Sequence, residues 1–275
     1  MRLSNGKAIL LFRFHKEPNI ARERIKILKY YNPDLPIYAL YGGQRGGLEQ
    51  ACLAVDELVE NVWSFPGNKN VEWKWQHADL MLKAWYRDFG HSVNFDFLYS
   101  YEYDLLTLAP LIELYPDITD DTLALSAYTK FTDKIENTWF WTAKEPFKTG
   151  FKVFNEGFLS KYGIKRQQYI CLGTGPVLPK AFLDRWSKTK DGEDVHDQIV
   201  YPAYAEAFGF KAVDNGMHPG FRAPKEKQRY FNNENMQVPL ELIQEQMEMP
   251  DGRRAFHPVK YMITLEEIND MINAA

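Results

Sequence analysis

Several features that define specific classes of protein are scarce in this sequence. Its 275 residues include only two cysteines, Cys52 and Cys171, and their positions match neither a metal-binding nor a redox spacing. So few cysteines are typical of a reducing compartment. The net charge of −4 comes without any long basic run, which argues against nucleic acid as the main partner.

Long apolar runs are also missing. The N-terminal segment has a single short one, AILLF at 8–12, which is too short for a signal peptide or a membrane span. We therefore expect a soluble, cytoplasmic protein with no transmembrane segment. The 45% hydrophobic and 25% charged residues are an ordinary globular balance, whereas 15% aromatic residues is high enough to fill a core or to line a site that stacks on rings.

Strand and helix patterns alternate along the first half of the chain. Apolar runs at 7–14, 35–43 and 95–101 predict buried strands, and apolar stripes at 19–31 and 71–90 predict helices. This alternation predicts an α/β fold in which helices flank a mostly parallel, Rossmann-like central sheet. In such sheets ligands bind at the carboxyl ends of the strands.

The second half is less regular. We predict a strand at 121–131, then a strand and a helix separated by a turn at Gly173-Thr174-Gly175, and a helix after the acidic segment at 192–194. Residues 137–155 are predicted as loop with short elements, and 222–251 show no clear core signal. Thr264 followed by Glu267 predicts a capping box that begins a last helix.

Two carboxylates at the end of one strand are the first chemical signal. In the stretch FDFLYSYEYDLL, Glu102 and Asp104 follow a buried strand and lie two residues apart, which places both on one face. Burying both unpaired would cost several kcal/mol or force one to bind a proton. A divalent cation such as Mg²⁺ or Mn²⁺ would remove this cost, and the alternatives are solvent exposure or pairing with a lysine or arginine.

Four pieces of the chain, taken in order, resemble the GT-A fold glycosyltransferases, which transfer a sugar from a nucleotide diphosphate. KAILLFRFH through PIYALYGG looks like the nucleotide-binding half of that family, and EYD at 102–104 looks like its DXD metal motif with glutamate in first place. GED at 192–194 is similar to the acidic motif that supplies a base in inverting members, and HPVK at 257–260 resembles the late histidine and cation of the metal and diphosphate site.

The resemblance implies one glycosyltransferase-like domain over 1–275, with a nucleotide-binding half at 1–104 and an acceptor half at 105–275. It implies a Mn²⁺ or Mg²⁺ cofactor, a nucleotide-sugar donor and a saccharide or other hydroxyl acceptor. Glu102, Asp104 and His257 would hold the metal. Substrate-binding residues would be Phe12, Phe14, His15, Tyr41, Gly42, Tyr103, Gly173, Thr174, Gly175 and Lys260.

A base is also needed if the transfer inverts configuration, because the acceptor hydroxyl must lose a proton. Asp194 is the first candidate for that catalytic role, followed by Glu193 and Asp197. Acidic residues at the start of a helix also cap its amides and stabilise its dipole without any catalytic role.

Three other functions compete with this interpretation. A nucleotidyltransferase would use the same sheet and metal, but the segment after the first strand, RFHKEPNIARER, lacks the glycines expected of a triphosphate-binding loop. A glycoside hydrolase needs two carboxylates across a cleft, which adjacent residues on one strand face do not provide. A domain that binds a nucleotide or a glycan without turnover stays open.

Overall fold

In the computed structural model, which describes residues 6–115, 118–190 and 195–274, the strands form two sheets. The central one has seven strands among the described residues, in the order β3-β2-β1-β4-β7-β6-β8, and β5 pairs with β9 in a small separate sheet. The strands are β1 (Ala8–Phe14), β2 (Ile37–Tyr41), β3 (Asn61–Ser64), β4 (Phe97–Glu102), β5 (Leu106–Thr107), β6 (Thr122–Lys130), β7 (Tyr169–Pro179), β8 (Lys211–Asp214) and β9 (Ala255–Phe256).

The central sheet is mostly parallel. β1 pairs in parallel with β2 and β4, β2 with β3, and β6 with β8. β7 pairs antiparallel with both β4 and β6, so it alone reverses direction within the described sheet. The predicted α/β class with a mostly parallel central sheet is therefore confirmed.

Helices flank the sheet and join its strands. They are α1 (Pro18–Tyr31), α2 (Leu48–Val55), α3 (Val71–Gln76), α4 (Ala78–Asp88), α5 (Leu111–Leu114), α6 (Asp133–Glu136), α7 (Phe140–Ala143), α8 (Phe147–Tyr162), α9 (Lys180–Trp186), α10 (Asp197–Phe208), α11 (Leu240–Glu248) and α12 (Leu265–Ala274). Of the helices in the described part of the chain, none is long and apolar enough to cross a membrane.

Successive side chains along β1 pack into two separate hydrophobic clusters. Ile9 and Leu11 of β1 pack into one cluster, while Leu10, Phe12 and Phe14 pack into the other. Because both faces of β1 are covered, its sequence is an almost continuous apolar run. A third cluster joins α1 to the C-terminal part of the chain, and it includes Ile243, Val259 and Ile268.

Four local predictions differ from the structure. The helix predicted at 71–90 breaks at His77 into α3 and α4. Gly173-Thr174-Gly175 is not a turn, because β7 continues through it as one strand of 11 residues. Residues 137–155 contain most of α8, which buries Phe151, Phe154 and Phe158. Part of 222–251 forms α11 and buries Val238 and Ile243.

The predicted capping box is present at the start of α12. The Thr264 hydroxyl oxygen accepts from the Glu267 amide at 3.2 Å, and the Glu267 carboxylate accepts from the Thr264 amide at 2.8 Å. These bonds satisfy amide groups that the first turn of a helix leaves without partners. They stabilise the start of α12, the helix that contributes Ile268 to the third cluster.

We expect Ile268→Ala to lower the free energy of unfolding by about 2–5 kcal/mol, because Ile268 is fully buried and its removal leaves a cavity. Ile272 lies one turn later on α12 and is 41% exposed, so Ile272→Ala is the matched control and should cost far less. Urea denaturation of both variants measures the difference. Equal losses would show that α12 does not pack as described.

Candidate functional site

The carboxyl ends of three neighbouring parallel strands form the floor of a pocket of about 1110 Å³. The register aligns Arg13 of β1 with Glu102 of β4, and Phe14 of β1 with Tyr41 of β2. Parallel strands end at the same edge of a sheet, which is the usual place for ligands in this class of fold. The predicted carboxylates thus lie where the fold places functional groups.

Glu102, Asp104 and His257 come together at this edge. His257 Nε2 lies 3.7 Å from Glu102 Oε2 and 3.6 Å from Asp104 Oδ1. Although His257 is 153 residues beyond Asp104 in the sequence, the pairing of β9 with β5 brings it there, and the Val259 amide donates to the Asp104 carbonyl oxygen at 2.8 Å. One possible ligand atom from each of the three residues lies within 4.8 Å of the others.

The donor set fits a divalent cation. The Nδ1–H of His257 donates to the carbonyl oxygen of Asn232 at 2.7 Å, and since that oxygen can only accept, Nε2 is left as the free lone pair. Nε2 is buried and has no hydrogen-bond partner among the described residues. Two carboxylates and an imidazole oriented by a backbone carbonyl are a common ligand set for Mn²⁺ and similar ions.

The charges around His257 favour a cation at Nε2. Burial lowers the pKa of His257, but the carboxylates of Asp104 and Glu102 outweigh burial and raise it to about 10. Burial likewise raises the pKa of Asp104, and His257 followed by Lys260 reverses that shift and lowers it. A proton on Nε2 and a metal ion are thus alternative ways to compensate the same two carboxylates.

Two cations flank the carboxylates. Arg13 NH2 donates to Glu102 Oε1 at 2.8 Å, and Lys260 Nζ lies 3.8 Å from Asp104 Oδ2. The alternative of pairing with basic residues is therefore also present in the structure. Each cation contacts the carboxylate oxygen that does not face His257, so this pairing leaves the oxygen that faces His257 available.

The residues predicted to bind the donor divide into two groups. Phe14, His15, Gly42 and Tyr103 line the pocket, and the rings of His15 and Tyr103 meet edge to face at 5.4 Å between centroids. Burial, followed by Lys16, lowers the pKa of His15. Phe12 is instead fully buried in the core, and Tyr41, which is also buried, donates its hydroxyl to the Gln44 carbonyl oxygen.

β7, which is next to β4 in the central sheet, supplies another part of the pocket wall. Gly173 and Thr174 line the pocket from within the strand, while the Gly175 carbonyl oxygen accepts from the hydroxyl of Tyr115. A Cβ at Gly173 would lie 2.9 Å from Asp197 Oδ1, which shows that glycine makes room for this carboxylate. The sequence predicted a turn at Gly173-Thr174-Gly175 and did not predict this contact between Gly173 and Asp197.

Asp197 is the predicted base that the structure describes. It begins α10, lines the pocket and lies against His196, whose Nδ1 is 2.8 Å from Asp197 Oδ1. Burial raises the pKa of Asp197, but His196, followed by Arg13, outweighs burial and lowers it. Glu193 and Asp194 lie outside the described residues.

Sequence reasoning missed a group of polar residues in the pocket wall. Asn233 donates to the Thr174 hydroxyl oxygen at 3.3 Å, and Asn235 accepts from Lys260. Both belong to a turn centred on Asn232, which is fully buried, binds the main chain through its amide group and accepts from His257 through its carbonyl. The run NNEN at 232–235 was the signal, because asparagines form such turns readily. Lys74 and Gln198 line the pocket as well.

Aromatic rings border the mouth of the pocket. Trp75 is 58% exposed and Phe140 is 53% exposed, although both line the pocket. Trp141 stacks on His196 with 3.8 Å between ring centroids. Exposed rings beside a polar site are suited to stacking on a ring-shaped ligand.

No family model and no curated protein matches the chain. Among solved structures, it is similar to the galactosyltransferase LgtC in complex with donor and acceptor sugar analogues, with 15% identity, 66% of this chain and 60% of that chain covered, and a TM-score of 0.36. It is similar to 4-diphosphocytidyl-2C-methyl-D-erythritol synthase, with 10% identity, 80% and 96% covered, and a TM-score of 0.39. It is also similar to the bifunctional glycosyltransferase WbbM, with 10% identity, 76% and 39% covered, and a TM-score of 0.38.

These similar structures include the class of enzyme that the sequence resembles, together with a synthase. The chain spans 60% of the galactosyltransferase chain and 39% of the WbbM chain. Every one of these TM-scores is below 0.5, so the likeness of the folds is remote.

We expect Gly173→Ala to destabilise the protein by about 1–3 kcal/mol, since the added methyl group collides with the buried carboxylate of Asp197. Gly157 is the matched control, because it lies within α8 and its added Cβ meets nothing within 4 Å. Gly157→Ala should leave stability unchanged or raise it by up to about 1 kcal/mol. Thermal unfolding of both variants tests this, and an unchanged midpoint for Gly173→Ala would contradict the contact.

Proposed function

We propose that this protein is a metal-dependent glycosyltransferase that moves a sugar from a nucleotide diphosphate sugar to an acceptor hydroxyl. The observation that carries the proposal is the cluster of Glu102, Asp104 and His257, with Lys260 beside it, at the carboxyl ends of parallel strands in a large pocket. Hard oxygen ligands beside a lysine suit the joint binding of a divalent ion and a diphosphate.

Transfer of the sugar breaks its bond to the diphosphate, and negative charge develops on that leaving group. A bound divalent ion would supply a positive charge beside these oxygens. Lys260 lies at the same carboxylate and adds a second positive charge on a flexible stem. His15 and Tyr103 face the same end of the pocket and provide ring surfaces for the nucleoside part of the donor.

His196 and Asp197 would take the proton from the acceptor hydroxyl in an inverting transfer. Both line the wall of the pocket formed by β7 and α10. Asp197 has a lowered pKa and is therefore ionised at neutral pH, and it lies against the imidazole of His196. A carboxylate and an imidazole in contact can take a proton from a hydroxyl that reaches either of them.

The exposed rings at the mouth favour a saccharide acceptor. Trp75 and Phe140 offer apolar faces, and Gln76 and Asn233 offer amide groups in the same pocket. Sugar rings present apolar C–H faces together with hydroxyl groups, so this mixture of aromatic and amide side chains matches their chemistry.

Thermal unfolding with a panel of nucleoside diphosphates, in Mn²⁺ or in EDTA, tests the donor site. One nucleotide should raise the midpoint in Mn²⁺ and not in EDTA, because a ligand at 100 times its Kd stabilises the native state by about 2.7 kcal/mol. Asp104→Asn should abolish the shift. Asp88→Asn, an exposed carboxylate on α4 outside the pocket, should keep it.

The matching nucleotide sugars are then offered with a panel of saccharides, and release of the nucleoside diphosphate is measured. No midpoint shift with any nucleotide would refute the donor site. Binding without release from any nucleotide sugar would instead indicate a non-catalytic domain, and release of pyrophosphate from a nucleoside triphosphate and a sugar phosphate would indicate a nucleotidyltransferase.

A further inference from the structure

Arg13 is a buried cation that contacts Glu102, the first of the two carboxylates in the candidate metal site. It lies next to the end of β1, is aligned with Glu102 on the neighbouring strand β4, and is 5% exposed. Its NH2 group donates to Glu102 Oε1 at 2.8 Å. A main-chain hydrogen bond joins the same two segments, because the Tyr103 amide donates to the Arg13 carbonyl oxygen at 3.0 Å.

Because of this hydrogen bond, the two carboxylate oxygens of Glu102 have different environments. Oε1 is occupied by the guanidinium, whereas Oε2 faces His257 Nε2 at 3.7 Å. A charge-assisted bond to a planar guanidinium restricts the orientation of the carboxylate more than a lysine would. Glu102 therefore offers one oxygen to the centre of the cluster.

The surroundings of the guanidinium are acidic. Burial lowers the pKa of Arg13, but Glu102, followed by Tyr201, Asp197 and Asp79, outweighs burial and raises it. Arg13 therefore stays charged. Among the described residues its side-chain hydrogen bond goes to Glu102, while its Nε has no partner.

We propose that Arg13 is a positioning residue that fixes Glu102 so that only Oε2 is presented to a divalent cation. The inference rests on the metal site of the proposed function and extends it to a side chain that is not itself a ligand. Groups that orient a metal ligand in this manner change metal affinity by about 10–100-fold when they are removed.

The direct test is a titration of the full-length protein with Mn²⁺ alone, in which free Mn²⁺ is measured by electron paramagnetic resonance. We expect Arg13→Lys, which keeps the positive charge but loses the planar guanidinium, to bind Mn²⁺ about 10–100-fold more weakly than the wild type. Arg22→Lys is the matched control, because Arg22 also pairs with a glutamate, Glu57, but lies outside the pocket. It should keep the wild-type affinity.

A second comparison separates positioning from a general effect on folding. If Arg13 acts through Glu102, then Arg13→Lys should cause no further loss of Mn²⁺ affinity in a Glu102→Gln background. Arg13→Lys keeps the buried charge, so a loss of affinity reports the lost geometry of the guanidinium and not the removal of a cation. Wild-type affinity in Arg13→Lys, or an equal loss in both backgrounds, would overturn the role of Arg13, whereas a wild type that binds no Mn²⁺ would overturn the metal site itself.

Discussion

The geometry of the pocket depends on two neighbouring carboxylates at one edge of the sheet, of which Asp104 is buried and Glu102 is partly buried. They need compensating charges to remain ionised together, because the two charges repel each other and burial penalises the charge of Asp104. The fold supplies Arg13 from the adjacent strand, Lys260 from the C-terminal segment and His257 between the two carboxylates. Arg13 comes from β1, whereas His257 and Lys260 both come from the segment after β9, so the cluster links β1, β4 and that segment.

Local patterns were sufficient to predict the first half of the fold. β1, α1, β2 and β4 lie within a few residues of their predicted bounds, because buried parallel strands and an amphipathic helix leave strong periodic signals. Strand ends follow from such elements, and so the positions of Glu102 and His15 at one edge were predictable. The capping box at Thr264 was equally local and is confirmed.

What could not be predicted depends on contacts between distant residues. Gly173-Thr174-Gly175 suggested a turn from its composition, but pairing of β7 with β6 and β4 carries the strand through it. The pairing of Arg13 with Glu102 depends on the register between β1 and β4, which the sequence pattern of either strand does not determine. Asn232 lies in a polar segment, and that composition gave no sign that the residue is buried. Its side-chain amide binds the main chain, and its backbone carbonyl oxygen accepts from His257.

The charges of the cluster explain why metal and diphosphate belong together in the proposed function. With His257 neutral, as a metal ligand must be, the two carboxylates are balanced by Arg13 and Lys260. A divalent ion would then bring two uncompensated positive charges into a partly buried site, where they would be weakly screened. The diphosphate of a donor would offset them, so we expect the affinity of the cluster for metal to be higher when the donor is present.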